Sequence, residues 1–122
     1  MIFSKDLTKT DIDTRLTIPT EALEHIEMPE GENNVDVSCR YYKDGSHGTV
    51  WTFRCNKRRN GHPKPAFTTG WLEFVRAKDL QIGDKVTFRM QEDEAGGGRA
   101  AQYTIRATRT ITILGKQIIA DI

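Results

Sequence analysis

Cysteine and histidine are scarce in this sequence of 122 residues, and the few that occur fit no common ligand spacing. The two cysteines, Cys39 and Cys55, form no close pair, which argues against a disulfide framework and against a zinc ribbon. We interpret them as free thiols that behave as small buried apolar side chains. The three histidines, His25, His47 and His62, are far apart in the sequence. We therefore expect neither a metal nor another cofactor.

Long apolar runs are also absent, and none approaches the roughly 20 residues that a membrane span requires. The amino terminus is charged by its fifth residue and lacks the apolar stretch of a secretory signal. The sequence contains no evident carboxylate cluster with a lysine and no nucleophile beside a base, so we do not expect an enzyme. The length is close to the commonest size of one domain. We expect one intracellular domain, residues 1–122, with no membrane association and no small-molecule substrate.

The formal net charge is only +1, but the charges are unevenly distributed along the chain. Between Val50 and Gly70 there is no acidic residue and there are five basic ones, namely Arg54, Lys57, Arg58, Arg59 and Lys64. Subtracting these 5 from 18 basic residues leaves 13 against 17 acidic residues, a formal charge of −4 for the rest of the chain. Between Thr20 and Cys39, six acidic residues occur without a lysine or arginine. Such an asymmetry can steer a polyanion to one face, although most charge runs are simply solvated surface.

Alternation of apolar and polar residues dominates the rest of the sequence. Five stretches have the period of a strand with one buried face: residues 35–41, 51–55, 86–90, 103–107 and 111–113. Asp44-Gly45 predicts a hairpin turn between the first two stretches, and Leu114-Gly115-Lys116 predicts another near the end of the chain. Gly83-Asp84 leads into the third stretch. The pattern is typical of a mainly β protein.

Two short helices are predicted between these strands. Thr20 precedes Glu21 and an apolar stripe that includes Ile26, which predicts a capped helix of about two turns. Trp71, Phe74 and Val75 have the i, i+3, i+4 spacing of a core-facing helix, so we interpret Trp71 as a core residue rather than a base-stacking platform. Residues 91–100 contain three consecutive glycines and predict a loop.

Five ordered blocks span most of the chain and are specific in combination. They are Phe3-x-Lys5-x-Leu7-Thr8-x-Thr10-Asp11, Arg15-Leu16-x-Ile18-Pro19, Trp51-x-Phe53-Arg54, Thr68-Thr69-Gly70-Trp71-x-x-Phe74-Val75 and Lys78-Asp79-Leu80-x-x-Gly83-Asp84-x-Val86-x-Phe88. Through these blocks the sequence resembles the plant B3-type DNA-binding domain of transcription factors. The resemblance implies a mainly β fold, an open seven-stranded pseudobarrel with two short α-helices. It also implies a nuclear transcription regulator, for which a monomer is the default expectation.

The resemblance further implies that two loops clasp the major groove of double-stranded DNA. Residues 9–15 correspond to the first of these loops, here called the first arm, and residues 55–65 to the second arm. The second arm is the acid-free basic stretch. Its candidate DNA contacts are Asn56, Lys57, Arg58, Arg59, Asn60 and Lys64. Lysine and arginine neutralise phosphates, arginine can also pair with guanine, and asparagine can pair with adenine. Gly61, Pro63 and Pro65 are expected to shape and stiffen this arm.

The first arm supplies fewer candidates because it is short and carries Asp11 and Asp13. We expect Asp11 to brace the arm through backbone hydrogen bonds rather than to contact DNA. The remaining candidate contacts are Lys5, Lys9, Thr10 and Arg15, together with Thr69 at the start of the second helix. For Thr69, the resemblance implies a phosphate contact, and its position also predicts a helix cap. The alternative function is a protein-interaction module that kept the barrel but has weak or non-specific DNA affinity.

Overall fold

The computed structural model describes residues 1–43, 46–91 and 102–122. The predicted Asp44-Gly45 turn and nearly all of the predicted loop over residues 91–100 lie outside these described residues. The described part contains eight strands. They are β1 (Phe3–Asp6), β2 (Leu16–Thr17), β3 (Asn34–Lys43), β4 (Ser46–Asn56), β5 (Ala66–Phe67), β6 (Lys85–Met90), β7 (Tyr103–Ile113) and β8 (Lys116–Asp121).

Seven strands form one curled path in the order β1-β6-β7-β3-β4-β5-β2, and β8 pairs with the distal half of β7. Neighbouring strands pair antiparallel, except for β3 and β7, which pair in parallel with Cys39 opposite Tyr103. Within the described residues, no backbone ladder joins the end strands β1 and β2, so the barrel is open. The predicted mainly β fold with an open seven-stranded path is confirmed.

The predicted strand alternation is largely correct. The inward residues of β3 and β4 are buried at Val37, Cys39, Phe53 and Cys55, and the two strands pair antiparallel as predicted. Met90 departs from the pattern, because it lies at the end of β6 and 47% of its surface is exposed. Alternation predicts which face a side chain occupies, but the last residue of a strand can extend past the core that this face covers.

Residues 103–107 and 111–113, which alternation predicts as two strands, form the single strand β7. Their buried face ends at Ala107, where β7 leaves the core and continues as a two-stranded ribbon with β8. The predicted turn between these strands is present, with positive φ angles of 50° at Leu114 and 78° at Gly115. Two consecutive left-handed residues match the right-handed twist of a hairpin.

The described residues contain two α-helices, α1 (Lys9–Asp13) and α2 (Trp71–Ala77), together with a five-residue 3₁₀ helix at Thr20–Glu24. Among the described residues, no helix is long and apolar enough to cross a membrane. The position of α2 agrees with the prediction, and Trp71, Phe74 and Val75 are buried. The helix α1 was not predicted, because its five residues are too few to show an apolar stripe.

A helix follows Pro19 as predicted, but it is a 3₁₀ helix rather than an α-helix, and the predicted Thr20 cap is wrong. Pro19 occupies the N-cap position, and no side chain caps this end. The amide of His25 donates to the carbonyl of Ala22 at 3.0 Å, a bond between residues three apart. So short a segment gains too few hydrogen bonds to offset the nucleation of an α-helix, so burial of Ala22 and Ile26 determines its path.

The core is rich in aromatic rings that connect the sheet with α2. Phe53 lies 5.5 Å from Phe67 and 5.7 Å from Trp71, measured between ring centroids. Phe88 of β6 extends this cluster, with its ring centroid 5.3 Å from that of Phe67. All four side chains are fully buried, and burying each contributes on the order of 2 kcal/mol. The interpretation of Trp71 as a core residue is confirmed.

Candidate nucleic-acid interface

A basic cleft of about 620 Å³ lies between the end of the first arm, β2 and the second arm. The four charged residues that line it are all basic, namely Arg15, Lys57, Arg58 and Lys64. The remaining lining residues are uncharged and include Thr17, Thr20, Asn56 and Thr68. Because no acidic residue of the described ranges lines this cleft, the described lining carries a positive field that attracts anions.

The second arm is shaped by its own backbone bonds. The amide of Arg58 donates to the carbonyl of Pro63 at 2.6 Å, which closes a short loop around Gly61 with its φ of 76°. The carbonyl of Pro65 accepts a hydrogen bond from the amide of Ile18 at 3.1 Å. This last bond connects the end of the second arm to the chain that follows the first arm. The two arms therefore border the same cleft.

Lys64 has an unusual backbone conformation within the second arm. Its φ is 40°, in the left-handed region that side chains other than glycine seldom adopt, and it lies between Pro63 and Pro65. Left-handed backbone at such a residue is strained and persists only where its surroundings impose it. Fixed proline φ angles on both sides restrict the alternatives open to Lys64. The exposed Lys64 is thus held at the cleft by a stiff backbone.

Asn56 forms the junction between β4 and the second arm. Its side-chain oxygen accepts a hydrogen bond from the Thr68 hydroxyl at 3.3 Å. That bond leaves the Asn56 NH₂ group and a second lone pair on the oxygen for other partners. Arg54, two residues earlier, lies in β4 and forms an ion pair with Asp36 of β3 at 3.2 Å, which agrees with its interpretation as a strand residue.

The first arm contains the short helix α1, which begins with a capping box. The Thr8 hydroxyl accepts from the amide of Asp11, and the Asp11 carboxylate accepts in return from the amide of Thr8 at 2.8 Å. The threonine and aspartate three residues apart are a sequence signal that predicts such a start. On the exposed side of α1, Lys9 and Asp13 form an ion pair that raises the pKa of the Lys9 ammonium.

Asp11 of the first arm is fully buried. Its carboxylate accepts hydrogen bonds from Lys5 Nζ at 2.8 Å, Thr8 Oγ1 at 2.9 Å and the amide of Thr17 at 3.2 Å. Burial favours the neutral acid and acts to raise the pKa, but these bonds outweigh it and hold the pKa of Asp11 below its ordinary value. Asp11 thus joins β1, α1 and β2, in the bracing role that the sequence predicts.

The helix α2 supports the first arm from inside the protein. The indole of Trp71 donates from Nε1 to the backbone carbonyl of Asp11 at 2.6 Å. The residue before α2 is Gly70, which has a φ of 90° and occupies the N-cap position without a side-chain cap. Thr69 is exposed but is not this cap, so the predicted capping role of Thr69 is wrong. The cap falls on Gly70 because the chain turns there through left-handed backbone.

Five of the predicted DNA contacts line the cleft together. These are Arg15, Asn56, Lys57, Arg58 and Lys64. The other six do not line it. Lys9 and Thr10 are exposed on α1, Arg59 and Asn60 are exposed on the second arm, Thr69 is exposed before α2, and Lys5 is part of the Asp11 network. The ammonium of Lys5 also donates to the carbonyl of Thr17 at 2.9 Å. Lys5 therefore holds β1 against β2.

Thr17, Thr20 and Thr68 are lining residues that sequence reasoning missed. Thr68 could have been predicted, because it is the first residue of the fourth of the five sequence blocks. Thr17 has a weaker signal, since it lies between the apolar residues Leu16 and Ile18 and so belongs to the outer face. Sequence reasoning also missed Asn33, whose backbone carbonyl accepts a hydrogen bond from the amide of Lys57 at 2.9 Å.

An open β-barrel with a positive cleft between two arms defines a class of nucleic-acid-binding domain. Comparison with known proteins identifies the family, since the B3 DNA binding domain matches residues 3–99. The chain belongs to this family of plant DNA-binding domains. The predicted family membership is confirmed.

Curated relatives include plant transcription factors that are much longer than this chain. Auxin response factor 19 of Arabidopsis thaliana is 37% identical over 93 residues, which cover 74% of this chain and 8% of that protein. The AP2/ERF and B3 domain-containing transcription factor RAV1 of the same species is 33% identical over 90 residues, covering 71% of this chain and 26% of that protein. The chain thus spans about a quarter or less of these relatives.

A solved structure has the same fold. The Arabidopsis FUS3–DNA complex contains a chain with a TM-score of 0.67 to this one, at 23% sequence identity. The similar region covers 87% of this chain and 94% of that chain. This likeness supports the open barrel over most of its length.

Proposed function

We propose that this domain binds duplex DNA by placing its two arms against the major groove, with the basic cleft facing the duplex. The observation that supports this most directly is the convergence of Arg15, Lys57, Arg58 and Lys64 on one cleft, with no acidic residue among the described residues that line it. The cleft cations that neutralise phosphates release condensed counterions, which is the main source of sequence-independent affinity.

The cleft residues divide between two kinds of contact in this proposal. Lys57 and Arg15 contact phosphates and fix the register of the domain on the duplex. Arg58, Lys64 and Asn56 read base edges, because arginine and lysine pair with guanine and asparagine with adenine in the major groove. A good bidentate pair contributes on the order of 1–3 kcal/mol of discrimination. The stiff backbone around Lys64 reduces the entropy lost when the second arm docks.

The first arm has a supporting role in this proposal. Its helix α1 carries Lys9 beside Asp13, so the charge that it presents is largely compensated within the arm. Thr10 remains a candidate hydroxyl contact on α1, and Thr69 a candidate phosphate contact before α2. Lys5 is excluded from direct contact in the proposal, because its ammonium already has two oxygen partners in Asp11 and Thr17.

The relatives are called transcription factors, and from this we propose that the domain acts in the nucleus in transcription regulation. We propose further that the domain is a monomer when it binds. Acidic residues between Thr20 and Cys39 leave the rest of the surface net negative, which orients the domain with its basic cleft toward the polyanion.

A salt titration of binding to duplex DNA tests the proposal. We expect log affinity to fall with log salt concentration by about 0.9 for each phosphate neutralised. Arg15→Ala and Lys57→Ala should each lower affinity and reduce this slope by about one, because each removes a phosphate contact. Arg58→Ala and Lys64→Ala should instead lower affinity for the preferred duplex and leave the slope nearly unchanged. Lys116→Ala is a matched control, since Lys116 is exposed on the β7–β8 ribbon outside the cleft. It should leave both quantities unchanged.

Two outcomes would contradict the proposal. If Arg58→Ala and Lys64→Ala bind as the unmodified protein does, the cleft is not the DNA site. If the unmodified protein has no affinity for duplex DNA even at low salt, the protein-interaction alternative becomes the better explanation. Selection from random duplexes then measures sequence preference, with Asn56→Ala expected to relax it at one base pair.

A further inference from the structure

Asn33, just before β3, contacts the second arm through two different groups. Its backbone carbonyl accepts from the amide of Lys57 at 2.9 Å. Its side-chain amide can be oriented with the oxygen toward Arg59, and this oxygen then accepts from Arg59 Nε at 2.8 Å and from Nη2 at 3.1 Å. The same residue therefore holds two positions of the second arm, one on either side of Arg58.

The guanidinium of Arg59 is fixed by this contact at a place outside the cleft. Arg59 does not line the cleft, whereas its neighbours Lys57 and Arg58 do. Two hydrogen bonds from a planar guanidinium to one oxygen restrict both the position and the plane of the side chain. The contact thus uses Arg59 to anchor the second arm against the chain that leads into β3.

We propose that Asn33 is a positioning residue for DNA recognition and that Arg59 is its partner, so that together they present Arg58 to the cleft. This inference rests on the proposed function and assigns a role to a residue outside both arms. Arg58 lies between two anchored neighbours, and its own amide is bonded to the carbonyl of Pro63. An arm held at these points loses less conformational freedom when it binds than an unanchored one.

Charge-preserving substitutions separate positioning from simple electrostatic attraction. Asn33→Ala removes the side-chain acceptor and no charge. Arg59→Lys keeps the positive charge but lacks the planar fork that matches the Asn33 oxygen. We expect each to weaken binding to a preferred duplex by about three- to tenfold, and to leave the salt slope unchanged because no phosphate contact is lost. The double variant should bind no more weakly than either single variant.

Asn34→Ala is the matched control, because the exposed Asn34 is the next residue and the same atoms are removed. It should bind as the unmodified protein does. Thermal unfolding of all variants checks the fold, and Arg59→Lys keeps the inference testable if Asn33→Ala fails to fold. If Arg59→Lys binds as tightly as the unmodified protein, or if the effects of the two substitutions add, the positioning role is wrong.

A measurement without DNA separates failure of this inference from failure of the proposed function. In the free protein, the Arg59 Nε proton should exchange slowly with solvent, and Asn33→Ala should accelerate this exchange. Equal exchange in both proteins would overturn the inference, whatever the DNA result. If the exchange differs as expected but the unmodified protein binds no duplex, the anchor exists without its proposed use, and the role of Asn33 in recognition is rejected together with the proposed function.

Discussion

Asp11 carries a charge in the interior, and its surroundings explain why this is tolerated. An ionised carboxylate away from water is strongly unfavourable unless hydrogen bonds and an opposite charge compensate it. Lys5 supplies the charge, while Thr8 and Thr17 supply further donors. Because these donors come from β1, the start of α1 and β2, the carboxylate determines how the first arm sits on the barrel.

We predict that Asp11→Asn destabilises the protein in a pH-dependent manner. At pH 7 the free energy of unfolding should fall by about 2–4 kcal/mol, because Lys5 loses its charged partner. The pKa of Asp11 is lower in the folded state than its ordinary value of 3.8, so the stabilisation is complete above that value. It is lost as the pH falls through the lower folded pKa. The difference between the variant and the unmodified protein should therefore narrow below about pH 4.

Urea unfolding at pH 7, 5 and 3 measures this difference. Asp13→Asn is the control, since Asp13 is exposed on α1 and pairs only with the exposed Lys9 in the described structure. Its effect should remain below about 0.5 kcal/mol at each pH. A constant gap for Asp11→Asn across the whole range would show that the carboxylate charge is not what stabilises the first arm.

The roles of single residues were predictable where they depend on neighbours in sequence. Thr8 and Asp11 lie three residues apart, so the bracing role of Asp11 follows from local hydrogen bonding. Lys5 illustrates the limit. It resembles a surface cation in the sequence, but the curl of the sheet brings β1 to Thr17 of β2, and this tertiary contact engages its ammonium. Arg59 and Asn33 are 26 positions apart, and only the folded chain brings them together.

At the scale of elements, the junction between β5 and α2 depends on one glycine. Gly70 adopts a φ of 90°, and a Cβ atom built on it would lie 2.3 Å from the backbone oxygen of Thr52. Real Cβ atoms essentially never approach a neighbour so closely, and the obstacle is backbone that cannot rotate away. The close approach seats α2 against β4, where Trp71 can reach the carbonyl of Asp11.

We predict that Gly70→Ala lowers the free energy of unfolding by about 2–4 kcal/mol, through left-handed strain and displacement of α2. Gly83→Ala is the matched control, because Gly83 has a φ of 93° and nothing lies within 4 Å of its added Cβ. Gly83→Ala should lower the free energy of unfolding by about 1 kcal/mol, the cost of left-handed backbone alone. Urea unfolding measures both. Equal effects would mean that the Thr52 carbonyl yields easily and that α2 is not held by this contact.

The elements themselves were predictable in proportion to their length. The long strands β3, β4 and β7 show clear alternation, because one face of each packs on the aromatic core. β2 and β5 have two residues each, too few for any period, and they are positioned by pairing with each other and with β4. α1 and the 3₁₀ helix are equally short. The cleft is bordered mainly by these short elements, so its lining could be predicted only in part.

At the scale of the whole molecule, β3 and β4 form the centre of the sheet and connect the core to the second arm. Cys39 of β3 and Cys55 of β4 are both fully buried. Burial raises the pKa of both thiols. For Cys55 it reaches about 11, although the nearby charge of Lys57 acts to lower it. The thiolate is the reactive form of cysteine, so both groups should be inert in the folded protein at neutral pH.

We predict that alkylation of either cysteine requires opening of the central sheet, and that DNA binding suppresses it. A ligand that binds only the folded state lowers the open population by a factor of one plus the ratio of ligand concentration to Kd. Duplex DNA at about 100 times Kd should therefore slow modification of both thiols by about 100-fold at neutral pH. Mass spectrometry of alkylated peptides measures the two rates separately. Rapid alkylation of Cys55 beside a protected Cys39 would contradict a shared opening, because it would mean that the end of β4 and the second arm separate from the sheet without the rest.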